Sequence, residues 1–472
     1  MLSVFILSCG RGNRMNNLGL KIKQSLEKTL ETSLYKGVRV GIVITGATEK
    51  EALYSRLENE PLMVASVLKL VSSSAGLMLL GTKYKFRTPV MTSGSLKNGT
   101  LSGDLYLTGR GDPCLMTEHL EQAADELVRR GIRQIEGDIV YDVSFLDKEE
   151  NRYGRNARNL YAPPSALTVN YNWIDVKVEG RDPPLLSLVP KTGYAQLKYD
   201  VTVSDSALPG RPDLSFRPFP WGDAYTVKGT ITAWDRQYHY VWLGVSRPGL
   251  YAATLFREIC SRKGIRISGL TREGKAPGDA RTLVTLTSSS MKETVRRMNQ
   301  ESNNVIAETL CKDFGAIFDS QPGTRSKGVA VLEKFCEEKL RMEPGKFFIK
   351  DASGLDPGNC FTARQIATLL NILYNEKKLR EPFVSSLAEQ GHHPHALDPV
   401  PPQGISCYVK SGTLSVQGVN TAAGYIIVKK TGLVFSFVLL ANREEPGPMT
   451  YSGTLTNPLL EAVFNAMING IP

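Results

Sequence analysis

A serine and a lysine three residues apart stand at the start of an unusually apolar stretch. Ser66 and Lys69 share it with apolar residues that run almost continuously from Val67 to Met78, which predicts a buried helix ending at Gly81. The spacing puts both polar side chains on one helix face, so the ammonium nitrogen can approach the hydroxyl oxygen. Burial and the positive helix start both favour a neutral lysine, which could take the serine proton. The pair therefore predicts an activated serine nucleophile.

The same spacing occurs four times in the chain, so it is not specific by itself. The other matches are Ser25/Lys28 and Ser33/Lys36 in a polar, amphipathic opening helix, and Ser289/Lys292 at a serine-rich helix entry. Such positions are typical of solvated helix faces and helix caps. Since short motifs specify function loosely, assigning Ser66 requires further elements.

Length and composition indicate a globular protein of several domains. A chain of 472 residues can form two or three substantial cores, and 42% hydrophobic with 22% charged residues is ordinary for such proteins. The net charge of +10 favours anionic surroundings such as wall polymers or membrane surfaces. No basic run with interleaved aromatic residues indicates a nucleic-acid partner. No apolar stretch is long enough to span a bilayer.

The opening residues and the cysteines bear on the compartment. Met1 to Gly10 is apolar, and it is similar to the tail of a bacterial lipoprotein signal in which Cys9 would carry the lipid. A basic leader and a full apolar segment are missing, so either the true start lies upstream or the similarity is accidental. We expect export to the periplasm or cell envelope, with a lipid anchor at Cys9 left open. The six other cysteines have no metal-site spacing and are either paired or buried as isolated thiols.

The two ends of the chain predict one sheet. A helical pattern from Leu18 to Tyr35 precedes a strand at Val38 to Thr45. Three late strands are expected at Ile405 to Val409, Thr421 to Val428 and Leu433 to Ala441, followed by a closing helix from Thr456 to Gly470. We predict an α/β (α+β) fold in which these four strands form an antiparallel sheet, with the terminal helices on one side and the Ser66 helix on the other.

The middle of the chain differs from its two ends in predicted secondary structure. Between Thr88 and Gly278 it has short strands, turns and many prolines. We therefore predict a catalytic domain from residues 18–87 and 279–472, an inserted domain from 88–161 and 231–278, and a small β-rich subdomain at 162–230. Residues 1–17 are assigned to the remnant of an export signal.

Two further motifs follow the first in order. Ser302-Asn303-Asn304 interrupts a long helical region, and Lys410-Ser411-Gly412 continues the apolar strand that begins at Ile405. Two other stretches, Lys191-Thr192-Gly193 and Lys430-Thr431-Gly432, fit the lysine-hydroxyl-glycine pattern more literally. The first precedes Ser302 and the second is expected in a hairpin turn. We choose Lys410, because a glycine on a strand lets a ligand approach the sheet closely, with Lys430 as the alternative.

In this order the three motifs resemble the SxxK, SxN and K[ST]G elements of penicillin-binding proteins and serine β-lactamases. The chain is similar in particular to low-molecular-mass class C penicillin-binding proteins, which are D-alanyl-D-alanine carboxypeptidases and endopeptidases. Three other stretches share this resemblance: Gly111-Asp112-Pro113, Ala162 to Leu167, and Asp351-Ala352-Ser353-Gly354-Leu355. The long interval between Lys69 and Ser302 resembles the large insertion of that class, within a β-lactamase-like transpeptidase fold.

The resemblance implies a serine acyl-enzyme mechanism without a metal or cofactor. Ser66 would attack the carbonyl between two D-alanines of a peptidoglycan stem peptide, with Lys69 as base, Ser302 as proton relay and Asn304 orienting Lys69 and the substrate amide. Lys410 would keep Lys69 neutral and attract the substrate carboxylate, which the hydroxyl of Ser411 binds. The backbone N–H groups of Ser66 and Thr413 would form the oxyanion hole beside Gly412. β-Lactams would acylate Ser66.

Two features leave alternatives open. Some relatives hold a free amino group with a carboxylate just before the Ala162 stretch, but here the segment contains Arg152, Arg155 and Arg158 and no acid, so the balance between carboxypeptidase and endopeptidase stays open. The clustered His392, His393 and His395 are expected at the surface. A β-lactamase or esterase with the same motifs, and a non-catalytic peptidoglycan-binding protein, are the alternative functions.

Overall fold

We describe a computed structural model of the chain. It describes residues 2–49, 51–148, 162–180, 183–208, 210, 212–237, 241–393, 396, 398–447 and 453–470, without the side chains of residues 2–14, 234 and 237. Within these residues no helix is both long and apolar enough to cross a membrane. The side chain of Cys9, the segment carrying Arg152, Arg155 and Arg158, and His395 lie outside the described residues.

The described residues form helices and strands from both ends of the chain to its middle. The α-helices are α1 (Leu2–Leu30), α2 (Lys69–Ala75), α3 (Thr117–Arg129), α4 (Ala233–Gln237), α5 (Pro248–Arg262), α6 (Met291–Gln300), α7 (Asn304–Phe318), α8 (Arg325–Glu338), α9 (Ala363–Asn375), α10 (Lys377–Val384) and α11 (Asn457–Gly470). The strands are β1 (Val38–Gly46), β2 (Ala52–Arg56), β3 (Leu62–Met63), β4 (Lys85–Thr92), β5 (Leu96–Lys97), β6 (Thr100–Leu101), β7 (Leu105–Thr108), β8 (Gln134–Ile135), β9 (Ile139–Asp142), β10 (Trp173–Glu179), β11 (Leu185–Val189), β12 (Ala195–Ser204), β13 (Asp213–Phe219), β14 (Gly222–Thr232), β15 (Trp242–Gly244), β16 (Arg266–Ile267), β17 (Thr271–Glu273), β18 (Arg281–Ser290), β19 (Cys360–Phe361), β20 (Ala388–Glu389), β21 (Ile405–Leu414), β22 (Val419–Val428) and β23 (Leu433–Arg443).

The chain forms two compact units. The first comprises Met1–Thr82, Met291–Asn303 and Val329–Pro472, and the second comprises Lys83–Ser290 and Asn304–Gly328. These are sets of residues in mutual contact, and the functional division into catalytic domain, inserted domain and subdomain stays a prediction.

A six-stranded sheet organises the first unit, in the order β2-β1-β23-β22-β21-β20. Every neighbouring pair is antiparallel. The four strands predicted from the sequence are its central members, and β2 and β20 extend its edges. Strands β21, β22 and β23 are each longer than expected, because their pairing continues past the apolar runs, for example from Lys410 opposite Ala423 to Leu414 opposite Val419.

The two terminal helices pack on one face of this sheet. Leu18, Ile22 and Leu26 of α1 recur every four residues and are buried, so they form one apolar helix stripe. They belong to a core cluster that includes alternate β1 residues such as Ile42, together with Val463 of α11. The predicted side for the terminal helices is therefore correct.

The opening helix ends earlier than its apolar pattern predicts. It stops at Leu30, and a separate 3₁₀ turn covers Ser33–Tyr35. The reason is local, because Thr32 adopts an extended conformation with φ −68° and ψ 155°. The hydroxyl of Tyr35 then donates to the carbonyl of Leu455 at 2.8 Å, which ties this turn to the segment before α11.

Helix α9 packs against β1 and β23 and begins with a capping box. The hydroxyl of Thr362 accepts from the backbone N–H of Gln365 at 3.1 Å, and the Gln365 side chain accepts from the N–H of Thr362 at 2.9 Å. The hydroxyl of Tyr425 on β22 donates to the carbonyl of Leu370 on α9 at 2.7 Å. Both faces of the central strands are thus covered, which explains the nearly continuous burial of β1.

The second unit contains several smaller sheets. A five-stranded sheet has the order β17-β9-β7-β4-β18, a four-stranded sheet has the order β16-β8-β6-β5, and two three-stranded sheets have the orders β11-β10-β15 and β12-β14-β13. Helices α3 and α5 supply apolar side chains such as Leu120 and Phe256 to the shared core. The proline-rich residues 162–230 are rich in strands, as their sequence predicts.

Candidate active site

Ser66 lies in a 3₁₀ turn, Ala65–Leu68, which directly precedes α2. The predicted single helix is therefore three segments, because α2 ends at Ala75 and a π-helical segment, Gly76–Leu80, completes the run. Ala65 has a positive φ of 45°, which is uncommon for a residue with a side chain. Such backbone strain persists only where the surroundings enforce it.

Two hydrogen bonds and two glycines enforce the turn. The N–H of Val64 donates to the carbonyl of Asn359 at 3.2 Å, and the carbonyl of Val64 accepts from the hydroxyl of Thr421 at 2.8 Å. A Cβ on Gly354 would lie 1.9 Å from the carbonyl oxygen of Ala65, and one on Gly412 would lie 2.6 Å from the Ser66 nitrogen. No other residue fits at either position, so the backbone of Ser66 is clamped between them.

Lys69 lies against Ser66 on the inner side of the turn. Its side chain is fully buried, and its Nζ lies 3.0 Å from Ser66 Oγ and 2.6 Å from the carbonyl oxygen of Ser353. Ser66 itself is partly exposed. The serine hydroxyl can therefore meet a ligand while its basic partner is shielded from water.

Ser302 and Lys410 form a second contact of the same kind. Ser302 lies in the break between α6 and α7 and has a φ of 52°. Lys410 on β21 places its Nζ 3.0 Å from Ser302 Oγ and 2.7 Å from the carbonyl oxygen of Ser411. Asn299 at the end of α6 accepts from Ser73 of α2 at 2.9 Å, which fixes the end of α6 on the helix that carries Lys69.

The two lysines influence each other electrostatically. Lys410 is buried, and burial together with the positive charge of Lys69 holds its pKa well below its ordinary value. Burial disfavours a charged amine, and a nearby like charge adds to that effect. The repulsion is mutual, so a positive charge on Lys410 would likewise oppose protonation of Lys69.

The third motif runs along a paired strand. Ser411, Gly412 and Thr413 pair with Ala422, Thr421 and Asn420 of β22. The hydroxyl of Thr413 accepts from the side-chain amide of Asn420 at 3.1 Å. The paired strand fixes the direction in which successive side chains point.

Asn304, also expected at the site, is the first residue of α7 and is 7% exposed. It belongs to the second unit. Its predicted role stays a prediction.

The chain matches the model of one protein family over residues 22–453, described as the D-Ala-D-Ala carboxypeptidase 3 (S13) family. The chain belongs to this family. The family recognised from the three motifs, and the enzyme class that its name carries, are confirmed.

Relatives and solved structures agree with the S13 assignment. The D-alanyl-D-alanine carboxypeptidase of Actinomadura sp. (strain R39) is 27% identical over 95% of this chain and 81% of its own length. The crystal structure of penicillin binding protein 4 (dacB) from Haemophilus influenzae covers 94% of this chain and 98% of its own, at 22% identity and a TM-score of 0.76. A second structure of that protein, complexed with a β-lactam, has a TM-score of 0.71 at 20% identity and the same coverage. This likeness confirms the predicted fold.

The rival matches to the S13 motifs have other surroundings. The Ser25 hydroxyl donates to the carbonyl of Ala462 at 2.9 Å, and Lys292 forms an ion pair with Glu381 at 2.7 Å. Lys191, between β11 and β12, and Lys430, in the turn between β22 and β23, are both exposed. The choice of Lys410 over Lys430 stays a prediction.

Sequence reasoning missed one acceptor at this S13 site, the backbone carbonyl of Ser353. Its residue lies in the Asp351 to Leu355 stretch that contributes to the family resemblance, but a backbone acceptor has no side-chain signature. The residue pattern of this stretch indicates the family but does not indicate a contact with Lys69.

Cysteines and metal ligands are the remaining points. All six described cysteines are free thiols, which favours isolated thiols over the disulfide alternative. In the described ranges no three His, Cys, Asp or Glu side chains are grouped closely enough to hold a metal ion.

Proposed function

We propose that this chain removes the terminal D-alanine from peptidoglycan stem peptides through an acyl-enzyme on Ser66. The observation that carries the proposal is the contact of each buried lysine with a serine hydroxyl, at 3.0 Å for Lys69 with Ser66 and 3.0 Å for Lys410 with Ser302. A nucleophile within reach of its base is the arrangement that nucleophilic catalysis requires. A β-lactam would acylate the same serine.

The proposed steps follow from the chemistry of these groups. Lys69 takes the Ser66 proton as Oγ attacks the carbonyl between the two D-alanines, and an ester bond forms. Ser302 relays the proton held by Lys69 to the leaving amine as the C–N bond breaks, which frees D-alanine and returns Lys69 to its neutral form. Water then hydrolyses the ester and regenerates the Ser66 hydroxyl.

Binding and charge stabilisation are assigned to the third motif and to Asn304. Lys410 and the Ser411 hydroxyl bind the terminal carboxylate, and Asn304 orients Lys69 and the substrate amide. The N–H groups of Ser66 and Thr413 stabilise the oxyanion, an interaction that contributes about 3–4 kcal/mol per donor in the transition state. Gly412 allows the substrate to approach β21. Because the substrate is a cell-wall polymer, we propose that the protein acts in the cell envelope.

Fluorescent penicillin tests this function. We expect the label to map to the peptide that contains Ser66. We also expect the protein to release D-alanine from a pentapeptide, and Ser66→Ala to lose this activity. Label on another serine, or unchanged labelling and release in Ser66→Ala, would contradict the proposal. Rapid penicillin turnover without D-alanine release would support the β-lactamase alternative. Assay of a cross-linked muropeptide in parallel measures the endopeptidase share.

A further inference from the structure

A loop with buried polar residues contacts Lys69 through its backbone. It comprises residues 350–359, and its polar members Asp351, Ser353 and Asn359 are 1%, 0% and 0% exposed. Through the carbonyl of Ser353 it accepts a hydrogen bond from Lys69 Nζ at 2.6 Å, shorter than the 3.0 Å from Nζ to Ser66 Oγ. The position of the amine therefore depends on where this loop holds its carbonyl.

Asp351 holds the loop in shape from within. One carboxylate oxygen accepts from the N–H of Gly354 at 2.7 Å and from the side-chain amide of Asn359 at 2.9 Å, and the other accepts from the N–H of Asp356 at 2.7 Å. Charge-assisted hydrogen bonds of this kind are the stronger ones. The peptide group of Ser353 and Gly354 is thus fixed at its N–H by Asp351, while its carbonyl faces Lys69.

The loop is also fixed to the nucleophile turn at three points. The carbonyl of Asn359 accepts from the N–H of Val64 at 3.2 Å, and Ser72 of α2 donates to the carbonyl of Ala352 at 2.9 Å. Gly354, with φ +85°, leaves no room for a Cβ against the Ala65 carbonyl. Movement of the loop would therefore shift both the acceptor of Lys69 and the backbone of Ser66.

A carbonyl suits this place for a chemical reason. A neutral amine has two N–H donors and one lone pair, whereas a carbonyl oxygen can only accept. The Ser353 carbonyl therefore takes one N–H of Lys69, and this contact limits the rotation of the amine. The lone pair can then be directed at the hydroxyl of Ser66.

We propose that Asp351 is a positioning residue for the acylation step, acting through the Ser353 carbonyl on Lys69. The inference rests on the proposed function of Ser66 and Lys69. It assigns the Asp351 to Leu355 stretch a role in acylation through its backbone carbonyl at Ser353.

The test is Asp351→Asn, measured by stopped-flow acylation with a fluorescent penicillin. An amide cannot accept on its nitrogen, so one of the backbone N–H groups of Gly354 and Asp356 loses its acceptor. Because a displacement of about 1 Å can reduce a rate about 100-fold, we expect the acylation rate constant to fall about 10- to 100-fold. The dissociation constant of the noncovalent penicillin complex should change less than about twofold, since the binding groups are untouched.

A matched control separates positioning from stability. Asp235 is also 1% exposed, and it accepts from the backbone N–H groups of Gly210 and Thr232 at 2.9 Å each, in the second unit. Asp235→Asn should leave the acylation rate constant unchanged, whatever its effect on the free energy of unfolding. Ser72→Ala, which removes only the contact to Ala352, should retain the fold and lower the rate constant a few-fold.

The outcomes are distinct. The inference is overturned if the acylation rate constant is unchanged in Asp351→Asn and Ser72→Ala. It is also overturned if Asp235→Asn lowers that rate constant equally, or if Asp351→Asn weakens only noncovalent binding. If Asp351→Asn does not fold, Ser72→Ala decides. Mapping the label in the unmodified protein is done in parallel: label at a residue other than Ser66 contradicts the proposed function, whereas label at Ser66 with an unaltered variant rate contradicts only the role of Asp351.

Discussion

Each unit of the molecule buries a pair of like-charged side chains, and the two pairs have opposite sign. In the first unit, Lys69 and Lys410 each place Nζ within hydrogen-bond distance of a serine hydroxyl and donate to a backbone carbonyl. In the second unit, Asp112 and Asp313 are 1% and 0% exposed. Burial raises the pKa of both carboxyls, and the negative charge of Asp112 raises that of Asp313 further.

The acidic pair differs from the lysine pair in its partners. One oxygen of Asp112 accepts from the Ser288 hydroxyl at 2.6 Å and from the N–H of Cys114 at 3.0 Å. Its other oxygen, and both oxygens of Asp313, have no hydrogen-bond partner among the described residues. Gly111 leaves the space that Asp313 occupies, because a Cβ there would lie 1.8 Å from Oδ1.

The partners of the two pairs, rather than their pKa shifts, distinguish the candidate active site from the buried acidic pair. Burial and like charge shift the pKa in both places, so a perturbed pKa alone does not identify the site. Lys69 contacts the partly exposed Ser66 hydroxyl, whereas Asp112 contacts the buried Ser288 hydroxyl. We therefore expect changes in the lysine pair to affect rates, and changes in the acidic pair to affect stability.

The largest effect is expected for Lys69→Met, which keeps the length of the side chain and removes the amine. Without a base the Ser66 hydroxyl is a weak nucleophile, so penicillin acylation should slow by about 10³-fold or more. Stopped-flow labelling measures the rate, and thermal unfolding should show a folded protein. A folded variant with a rate within tenfold of the unmodified enzyme would assign the base elsewhere.

The alkaline limb of the activity profile should report Lys410. A substrate carboxylate needs the charged amine, and the pKa of Lys410 lies well below its ordinary value of 10.5 because of burial and Lys69. Since Lys410 loses its proton as the pH rises through that lowered value, kcat/KM should decline at a pH well below 10.5. A substrate ending in a carboxamide is the control and should lack this limb. A decline only at or above the ordinary value would contradict the assignment.

In the acidic pair, Asp313→Asn should stabilise the protein without changing the acylation rate. Because the pKa of Asp313 is raised in the folded state, that state binds a proton that the unfolded state releases. The unmodified protein therefore loses stability as pH rises from the ordinary pKa of 3.8 towards the raised one. Removing the buried charge should contribute about 1–2 kcal/mol near neutral pH.

Denaturant unfolding at several pH values measures this difference. The advantage of the variant should grow with pH and nearly vanish near the ordinary pKa. A variant less stable than the unmodified protein at neutral pH would show that the carboxylate has a favourable partner.

The sequence was sufficient for the parts of this comparison that depend on side-chain type and order. The family could be recognised from three motifs in order, and the four central strands and the Lys430 turn could be predicted because apolar periodicity and turn residues are local signals. The 3₁₀ turn at Ser66 could not, since it depends on the approach of Gly354 and Gly412 from distant segments. The Asp112–Asp313 pair is also invisible in sequence, because 201 positions separate its members and tertiary packing alone brings them together.

The smallest effect is expected at the two lysines that match the third motif but lie exposed. Lys430 lies in the turn after β22 and Lys191 lies between β11 and β12, where solvent screens their charge. Lys430→Ala and Lys191→Ala should each leave the acylation rate and kcat/KM within about twofold, because surface substitutions rarely exceed about 0.5 kcal/mol. Lys410→Ala, measured beside them, should lower kcat/KM by about 10²-fold, since it removes a charge aimed at the substrate carboxylate. If Lys430→Ala lowered kcat/KM as much as Lys410→Ala, the exposure of a lysine would not tell which lysine serves as the third motif.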